Sequence, residues 1–165
     1  MEKFLLVINT TVQNKIFVAL AQGDKFYNQA SERSKNRSFY FRASADNIGF
    51  KTLYKKSIST AKSDKLLLLI DKILKNGKVE PKGLGGIIVV AGPGSFTAVR
   101  QGVVAANALG FFLKVPVVSV RGDEFVGDRD LLKIGYGKMK KAKAGEMALP
   151  FYGREPNITM PKPKL

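Results

Sequence analysis

The sequence predicts an α/β domain in which helices pack on a mixed sheet, and three observations support that class. Continuous apolar runs at Ile87–Ala91 and Val115–Val120 contain β-branched residues and are typical of strands buried on both faces. A helical segment, Thr97–Lys114, lies between them and predicts a parallel strand–helix–strand unit with a right-handed crossover. Two shorter apolar runs, Phe4–Ile8 and Ile16–Leu20, predict neighbouring strands at the start of the chain.

Composition limits the chemistry that the chain can perform. Its 165 residues suit one domain, and a hydrophobic fraction of 45% is that of a folded protein. There is no cysteine and no histidine, which excludes disulfides, thiolate metal sites and the usual Ser-His-Asp or Cys-His triads. No uninterrupted apolar stretch reaches about 18 residues, so we expect a soluble, cytoplasmic protein without a membrane segment.

The net charge of +15 is large for this length and has two interpretations. A charge of this size favours binding to polyanions such as RNA. It also keeps a protein soluble, and a general lysine bias would produce it without any binding function. Net charge alone does not distinguish between these alternatives.

The segment after the first two strands is hard to interpret. Lys25–Ala30 follows a turn signal at Gly23-Asp24 and predicts a third strand. Ser31–Thr60 contains one further candidate strand at Phe39–Arg42, followed by loop chemistry.

A helix is predicted at Ser63–Asn76, where Asn76-Gly77 is a typical C-terminal stop signal. Leu68 falls in the middle of its polar face, and a single exposed leucine is common in soluble proteins. The wide apolar face of this helix is predicted to consist of Leu66, Leu67, Leu69, Ile70, Ile73 and Leu74.

The second helix, Thr97–Lys114, is apolar in almost every direction. Its strongly polar stripe consists of Arg100, Asn107 and Lys114, spaced seven residues apart. One face of a sheet covers only part of a helix surface, so the remainder needs another cover. We favour contact with another chain, and the alternative is cover by the first helix and the C-terminal tail.

Composition changes after Val120, and we predict a division into residues 1–122 and residues 123–165. Asp123–Leu149 contains several glycines and a lysine-rich run, Lys138–Lys143, with little periodicity. Pro150–Leu165 is rich in proline and lysine and predicts an extended tail.

A glycine turn joins the strand at Ile87–Ala91 to the second helix. Such turns often hold phosphate on backbone N–H groups, but no Lys-Ser or Lys-Thr follows the second glycine, so this one is not a Walker A loop. Physical chemistry alone favours a tight turn in which Ser95 caps the helix. The turn consists of Gly92, Pro93, Gly94, Ser95, Phe96 and Thr97.

As a family signature, the turn is more specific. Together with Val99, Arg100 and Gly102, it closely resembles the GPGSFTGLRxG motif of the TsaB family, also called YeaZ. Ser63–Leu74 resembles the HSERLLPLIDELL helix of that family, and Val115–Val120 resembles its IPLVGVS strand. Pro150–Thr159 is similar to the P-x-Y-x-R-x-P-x-x-T ending of such proteins.

The resemblance implies an actin-like (ASKHA, RNase H-like) fold, here a single N-terminal lobe with a mixed sheet, two main helices and an extended C-terminal tail. It also implies a non-catalytic subunit that pairs with the paralogue TsaD, with TsaE joining the complex as an ATPase. TsaD transfers threonylcarbamoyl to the adenosine beside the anticodon of tRNA. A homodimer is expected to be an alternative when the partner is absent. The predicted partner-binding residues on the two helices are Lys65, Leu68, Asp71, Lys72, Arg100, Val104, Ala108 and Phe111.

The chain departs from the family in ways that argue against nucleotide binding. Asn9 stands where actin-like ATPases use an aspartate for Mg²⁺, and a neutral amide is a poor ligand for that ion. Ala98 replaces a glycine of the motif, and Lys62 stands at a position that is often histidine. Most of the usual second lobe, which would close a nucleotide site, has no counterpart. We therefore predict no cofactor, no metal and no enzymatic activity.

Two alternatives remain open. One is RNA binding, because basic residues interleave with aromatic residues between positions 35 and 56. Alternating strand residues would produce the same pattern. The other is a peptidase or ATPase of the superfamily, which the composition disfavours. The candidate RNA-binding residues are Lys35, Arg37, Arg42, Lys55 and Lys56.

Overall fold

Five strands form one mixed sheet in the order β3-β2-β1-β4-β5. The computed structural model describes residues 4–23, 50–59 and 65–153. β1 pairs antiparallel with β2, which pairs antiparallel with β3, whereas β1, β4 and β5 run parallel. The strands are β1 (Phe4–Asn9), β2 (Lys15–Gly23), β3 (Phe50–Ser59), β4 (Leu84–Val90) and β5 (Val117–Val120).

Within the described residues, three helices cover the two faces of this sheet. A short 3₁₀ turn, Pro81–Gly83, leads from the first helix into β4. Two helices pack on one face, over a core that includes Leu6, Ile8 and Ile87, and the third packs on the opposite face over Val7 and Ile88. The helices are α1 (Leu66–Gly77) and α2 (Phe96–Leu113) on the first face, and α3 (Asp128–Met139) on the second.

The predicted parallel strand–helix–strand unit is confirmed by β4, α2 and β5. β5 begins two residues later than predicted, at Val117, because the chain before it completes the end of α2. Lys114 takes a left-handed conformation there, and the N–H of Val115 donates to the carbonyl of Gly110 at 3.0 Å. Val115 therefore completes the end of the helix, and Pro116 already contacts β4, because its carbonyl accepts a hydrogen bond from the N–H of Ile87 at 3.0 Å.

Two elements were not predicted. β3 is an edge strand whose adjacent Lys55 and Lys56 break the polar–apolar alternation that marks a strand. α3 carries glycines at positions 135 and 137, which weaken a helical pattern, so it is a third helix beside the two main helices that were predicted. The strands predicted at Lys25–Ala30 and Phe39–Arg42 lie outside the described residues.

The wide apolar face predicted for α1 is narrower in the structure. Leu67 was assigned to that face, but it is 61% exposed, because it lies at the edge of the row that contacts β2 and β3. The other five apolar residues of that face are buried. The division of the chain at residue 122 stays a prediction.

One helix bears on the expectation that the chain has no membrane segment. α2 is an 18-residue helix with a mean hydropathy of 1.3, which by length and composition would allow it to cross a membrane. Residues such as Val99, Val103 and Ala106 are fully or almost fully buried against the sheet, and Arg100 lies within the helix. An apolar helix of this kind is also common in the core of a folded domain, so its length and composition are weak evidence for a membrane span.

Candidate protein interface

The turn between β4 and α2 starts the helix in the way that its sequence predicts. Ser95 has an extended backbone, and its hydroxyl accepts a hydrogen bond from the N–H of Ala98 at 3.4 Å. This confirms the predicted cap. Gly94 approaches Thr11 so closely that a Cβ atom would lie 3.1 Å from that side chain. The turn therefore packs against the loop that follows β1.

The end of β1 holds the buried polar residues Asn9 and Thr10. The hydroxyl of Thr10 donates to the carbonyl of Ala98 at 2.7 Å and so ties β1 to the start of α2. The amide oxygen of Asn9 accepts from the backbone N–H of Thr11 at 3.0 Å and from its hydroxyl at 2.8 Å. Asn9 thus closes a local turn with its own oxygen.

A C-terminal segment, here called the strap (Ala148–Tyr152), lies along α2 from Asn107 to Phe96 and across the glycine turn. The side-chain amide of Asn107 pairs with the backbone of Ala148 in both directions, donating to its carbonyl and accepting from its N–H, each at 2.9 Å. The ring of Tyr152 stacks on Phe96 with centroids 4.6 Å apart. These contacts join residues 41 or more positions apart, and no local sequence pattern signals them.

The strap fills the space in front of the glycine turn. The N–H of Phe151 donates to the carbonyl of Ala91, and the N–H of Gly122 donates to the carbonyl of Gly92, both at 2.6 Å. A Cβ atom at Gly92 would overlap the carbonyl oxygen of Phe151. The oxygen of Asn9 is also engaged in its own turn. This arrangement does not fit a nucleotide phosphate at the turn.

The outward side of α2 remains bare although the strap covers one flank. Val104, Ala108 and Phe111 are spaced by four and three residues and form one exposed row, with Arg100 one turn earlier. Val104 is 63% exposed and Phe111 is 74% exposed, while the adjacent Phe112 reaches 82%. The strap thus contacts Asn107 and Phe96 but leaves this apolar row exposed.

The outward side of α1 is also exposed and carries a second apolar pair. Leu68 is 60% exposed and lies beside Leu67. Lys65 and Lys72 are exposed as well, and Asp71 pairs with Lys75 at 2.8 Å. Since α1 and α2 pack on the same face of the sheet, their outward sides point away from it together. All eight residues predicted to bind a partner are exposed.

The structure describes two of the five candidate RNA-binding residues, Lys55 and Lys56. Lys55 forms an ion pair with Asp128 and lies over the ring of Phe17, 4.9 Å from its centroid. Tyr54 packs against the core below α1, so it offers no free ring. Lys56 is exposed. Lys35, Arg37 and Arg42 lie outside the described residues.

The charged groups near β5 are arranged in pairs. Hydrogen bonding from Lys138 lowers the pKa of Glu124, whose carboxylate also accepts from the backbone N–H of Arg121. The side chain of Arg121 in turn lowers the pKa of Asp123. Among residues 4–23, 50–59 and 65–153, no three carboxylates are grouped closely enough to suggest a metal site.

Comparison with known proteins agrees with this description of the fold. Residues 56–125 match the family model of TsaD, tRNA N6-adenosine threonylcarbamoyltransferase. A curated relative, the tRNA threonylcarbamoyladenosine biosynthesis protein TsaB from Buchnera aphidicola subsp. Schizaphis graminum, is 33% identical over an alignment of 76 residues, covering 41% of this chain.

Two solved structures share the fold. YeaZ from Pseudomonas aeruginosa has a TM-score of 0.50 at 21% identity over 72% of this chain, and it is covered over 44% of its own length. A protein with similarity to peptidase YeaZ from the same organism gives the same score and identity, with 43% of its length covered. The chain spans 36% of the curated relative and less than half of either structure.

Proposed function

We propose that the chain is a TsaB (YeaZ)-type protein, in agreement with the curated relative and the shared fold, and that it is a non-catalytic subunit in tRNA threonylcarbamoyladenosine biosynthesis. Its partner is a TsaD-type paralogue, which it scaffolds and activates, and a TsaE-type ATPase joins through the complex. The tRNA is the substrate of the complex, which works in the cytoplasm.

The observation that carries this proposal is the bare apolar surface of α1 and α2. Leu68 on α1 and the row Val104, Ala108 and Phe111 on α2 expose apolar area that neither the sheet nor the strap covers. Large exposed apolar patches on soluble proteins commonly mark protein–protein contacts. Charged residues at its border, Arg100 among them, supply the polar rim that such interfaces have.

The proposal of a non-catalytic role has a separate basis in composition and geometry. The chain lacks histidine and cysteine, so general base and nucleophile would have to come from other residue types. The strap occupies the space in front of the glycine turn, where ligands of α/β sheets usually bind. ATP or peptide hydrolysis by the purified chain, abolished by Asn9→Ala, would contradict this part of the proposal.

The interface is tested by co-purification with the TsaD-type paralogue from the same organism. We expect one peak in size-exclusion chromatography for the native pair at micromolar concentration, and two peaks when Leu68→Asp and Val104→Asp are combined. Val126→Asp is the matched control, because Val126 is 98% exposed in the loop before α3. Two peaks for the native pair would overturn the partner assignment.

A second measurement locates the contact. Since the chain has no cysteine, Val104→Cys creates a unique site for an environment-sensitive fluorophore. Binding of the TsaD-type paralogue should shift its emission to the blue, whereas the same label at Val126→Cys should not respond. A response of the label at residue 126 alone would show that the partner does not bind at α2.

A further inference from the structure

The outward face of α3 carries a set of lysines that the proposed docking surface does not use. Lys133 and Lys140 lie seven residues apart and therefore on the same side of the helix, and Lys141 lies beside Lys140. Lys143 follows in the turn after the helix. We name these four exposed residues the lysine row: Lys133, Lys140, Lys141 and Lys143.

The carboxylates around α3 leave the lysine row largely unneutralised. Asp128 pairs with Lys55, and Glu124 pairs with Lys138. Glu146 accepts a hydrogen bond from the backbone N–H of Lys143, and Asp130 lies on the same side, one turn before Lys133. In the part of the chain that the structure describes, none of the four ammonium groups forms an ion pair.

The two glycines of α3 differ in a way that points to a ligand. Gly135 is buried, and a Cβ atom there would lie 2.6 Å from Ile88, so close packing on the sheet requires glycine. Gly137 is exposed, and nothing lies within 4 Å of a Cβ atom built on it. Glycine destabilises a helix interior, and no packing contact accounts for it at this position.

Gly137 lies between Lys133 and Lys140 on the helix face, four residues after the first and three before the second. The missing side chain leaves a shallow notch in which a sugar–phosphate backbone can approach the helix closely. Tyr136 stands beside this notch, with the ammonium group of Lys140 4.8 Å from the centroid of its ring. An aromatic ring among lysines is typical of nucleic-acid surfaces.

We propose that the lysine row, with Gly137 between its members, binds the phosphate backbone of RNA. Membrane binding is less well supported, because α3 itself exposes no large apolar side chain in the structure. The proposal relies on the function proposed above only for the choice of tRNA as the probe. It uses the chain alone, so its failure is distinguishable from failure of the interface on α1 and α2.

The first test measures binding of a tRNA transcript by fluorescence anisotropy at 50 and 200 mM salt. Four phosphate contacts predict an affinity loss of about 50- to 150-fold over that range. Replacing the lysine row with glutamine should weaken binding at least about 10-fold at 50 mM salt and flatten the salt dependence. The control replaces four exposed lysines elsewhere with glutamine, which removes the same charge: Lys15, Lys78, Lys82 and Lys114.

The outcomes separate a site from a general effect of charge. Weaker binding of the row variant than of the control variant supports the proposal. Equal weakening of the two variants overturns it, because net charge alone would then explain binding. Binding through the row to vesicles that contain anionic lipid, without binding to tRNA, also overturns it.

The second test uses Gly137→Ala. This change should raise the melting temperature by about 2 °C, since alanine is the better helix former. If a backbone approaches at Gly137, the same change should weaken tRNA binding about 3- to 10-fold. Gly127→Ala is the control, since Gly127 is equally open but precedes the first turn of α3. Unchanged tRNA affinity in Gly137→Ala would remove the notch from the proposal.

Discussion

The two faces of the sheet are covered differently, and the surfaces that their helices expose have opposite chemistry. α1 and α2 share one face and expose Leu68, Val104 and Phe111. Among the described elements, α3 is the helix that covers the opposite face, and it exposes lysines and no large apolar side chain of its own. Apolar excess favours a protein surface as its cover, whereas unpaired cations favour a polyanion.

Under the two proposals above, the two faces have separate tasks. A subunit that positions a partner and a nucleic acid together can bind each on its own surface without competition. The strap belongs to the first face, because it packs on Asn107 and on the turn before α2. It leaves the outward row of α2 exposed. Variants that change one surface at a time can break or sharpen this division.

The largest effect on stability is expected when a valine is replaced by aspartate on the buried side of α2, compared with the same replacement on its exposed side. Val99 is fully buried, and Val99→Asp would place an unpaired carboxylate in the core at a cost of about 3–5 kcal/mol. Val104→Asp should change the free energy of unfolding by no more than about 0.5 kcal/mol, because Val104 is exposed. Urea unfolding followed by circular dichroism measures both. Similar losses at the two positions would show that the outward row is part of the core.

A smaller loss of stability is expected from Gly92→Ala, because this substitution should displace the strap. Gly92 has φ +122°, and a Cβ atom would overlap the carbonyl oxygen of Phe151. We expect a loss of about 2–4 kcal/mol and faster proteolysis within the strap. Gly122→Ala is the control, since a Cβ atom there makes ordinary contact at 3.5 Å. Equal protease resistance in both variants would mean that the strap does not depend on the turn.

Asn107→Ala also tests the attachment of the strap, with a smaller expected loss of stability. The change leaves the buried backbone of Ala148 without its two side-chain partners, which should cost about 1–3 kcal/mol. The amide of Ala148 should exchange faster with deuterium. Asn107→Asp retains the acceptor for that amide and should fall between the native chain and Asn107→Ala. Unchanged exchange at Ala148 in Asn107→Ala would contradict the pairing.

Elements with strong local patterns could be predicted from the sequence, and those set by distant contacts could not. The apolar run of β4 and the hydroxyl of Ser95 indicated the parallel unit and its helix cap, and both are confirmed. α3 was missed because Gly135 is required by a contact with Ile88 that lies far away in sequence. The contact between Asn107 and Ala148 is equally non-local, so the strap could only be recognised in three dimensions.

The smallest change in stability is expected from Glu124→Gln, which removes an ion pair on the α3 side of the sheet and leaves α1 and α2 unchanged. Its carboxylate accepts hydrogen bonds from the ammonium group of Lys138 at 2.7 and 3.0 Å, and this lowers its pKa in the folded state. A carboxyl group with a lowered pKa stabilises the fold above its unfolded-state pKa, and this contribution is lost as the pH falls through the folded value. The native chain should therefore be more stable than Glu124→Gln by about 0.2–1 kcal/mol at pH 7, the range of an exposed pair. The difference should shrink as the pH falls below the unfolded-state pKa of about 4.3 and vanish below the lowered folded-state pKa.

The same variant sharpens the comparison of the two faces, because it releases Lys138 beside the lysine row. Affinity for a tRNA transcript at 50 mM salt should rise about 2- to 3-fold, while co-purification with the TsaD-type paralogue should stay unchanged. Lys138→Gln combined with Glu124→Gln is the control, since it removes the released cation and should cancel the gain. A gain that persists in the double variant would show that loss of a negative charge, and not the freed lysine, strengthens RNA binding.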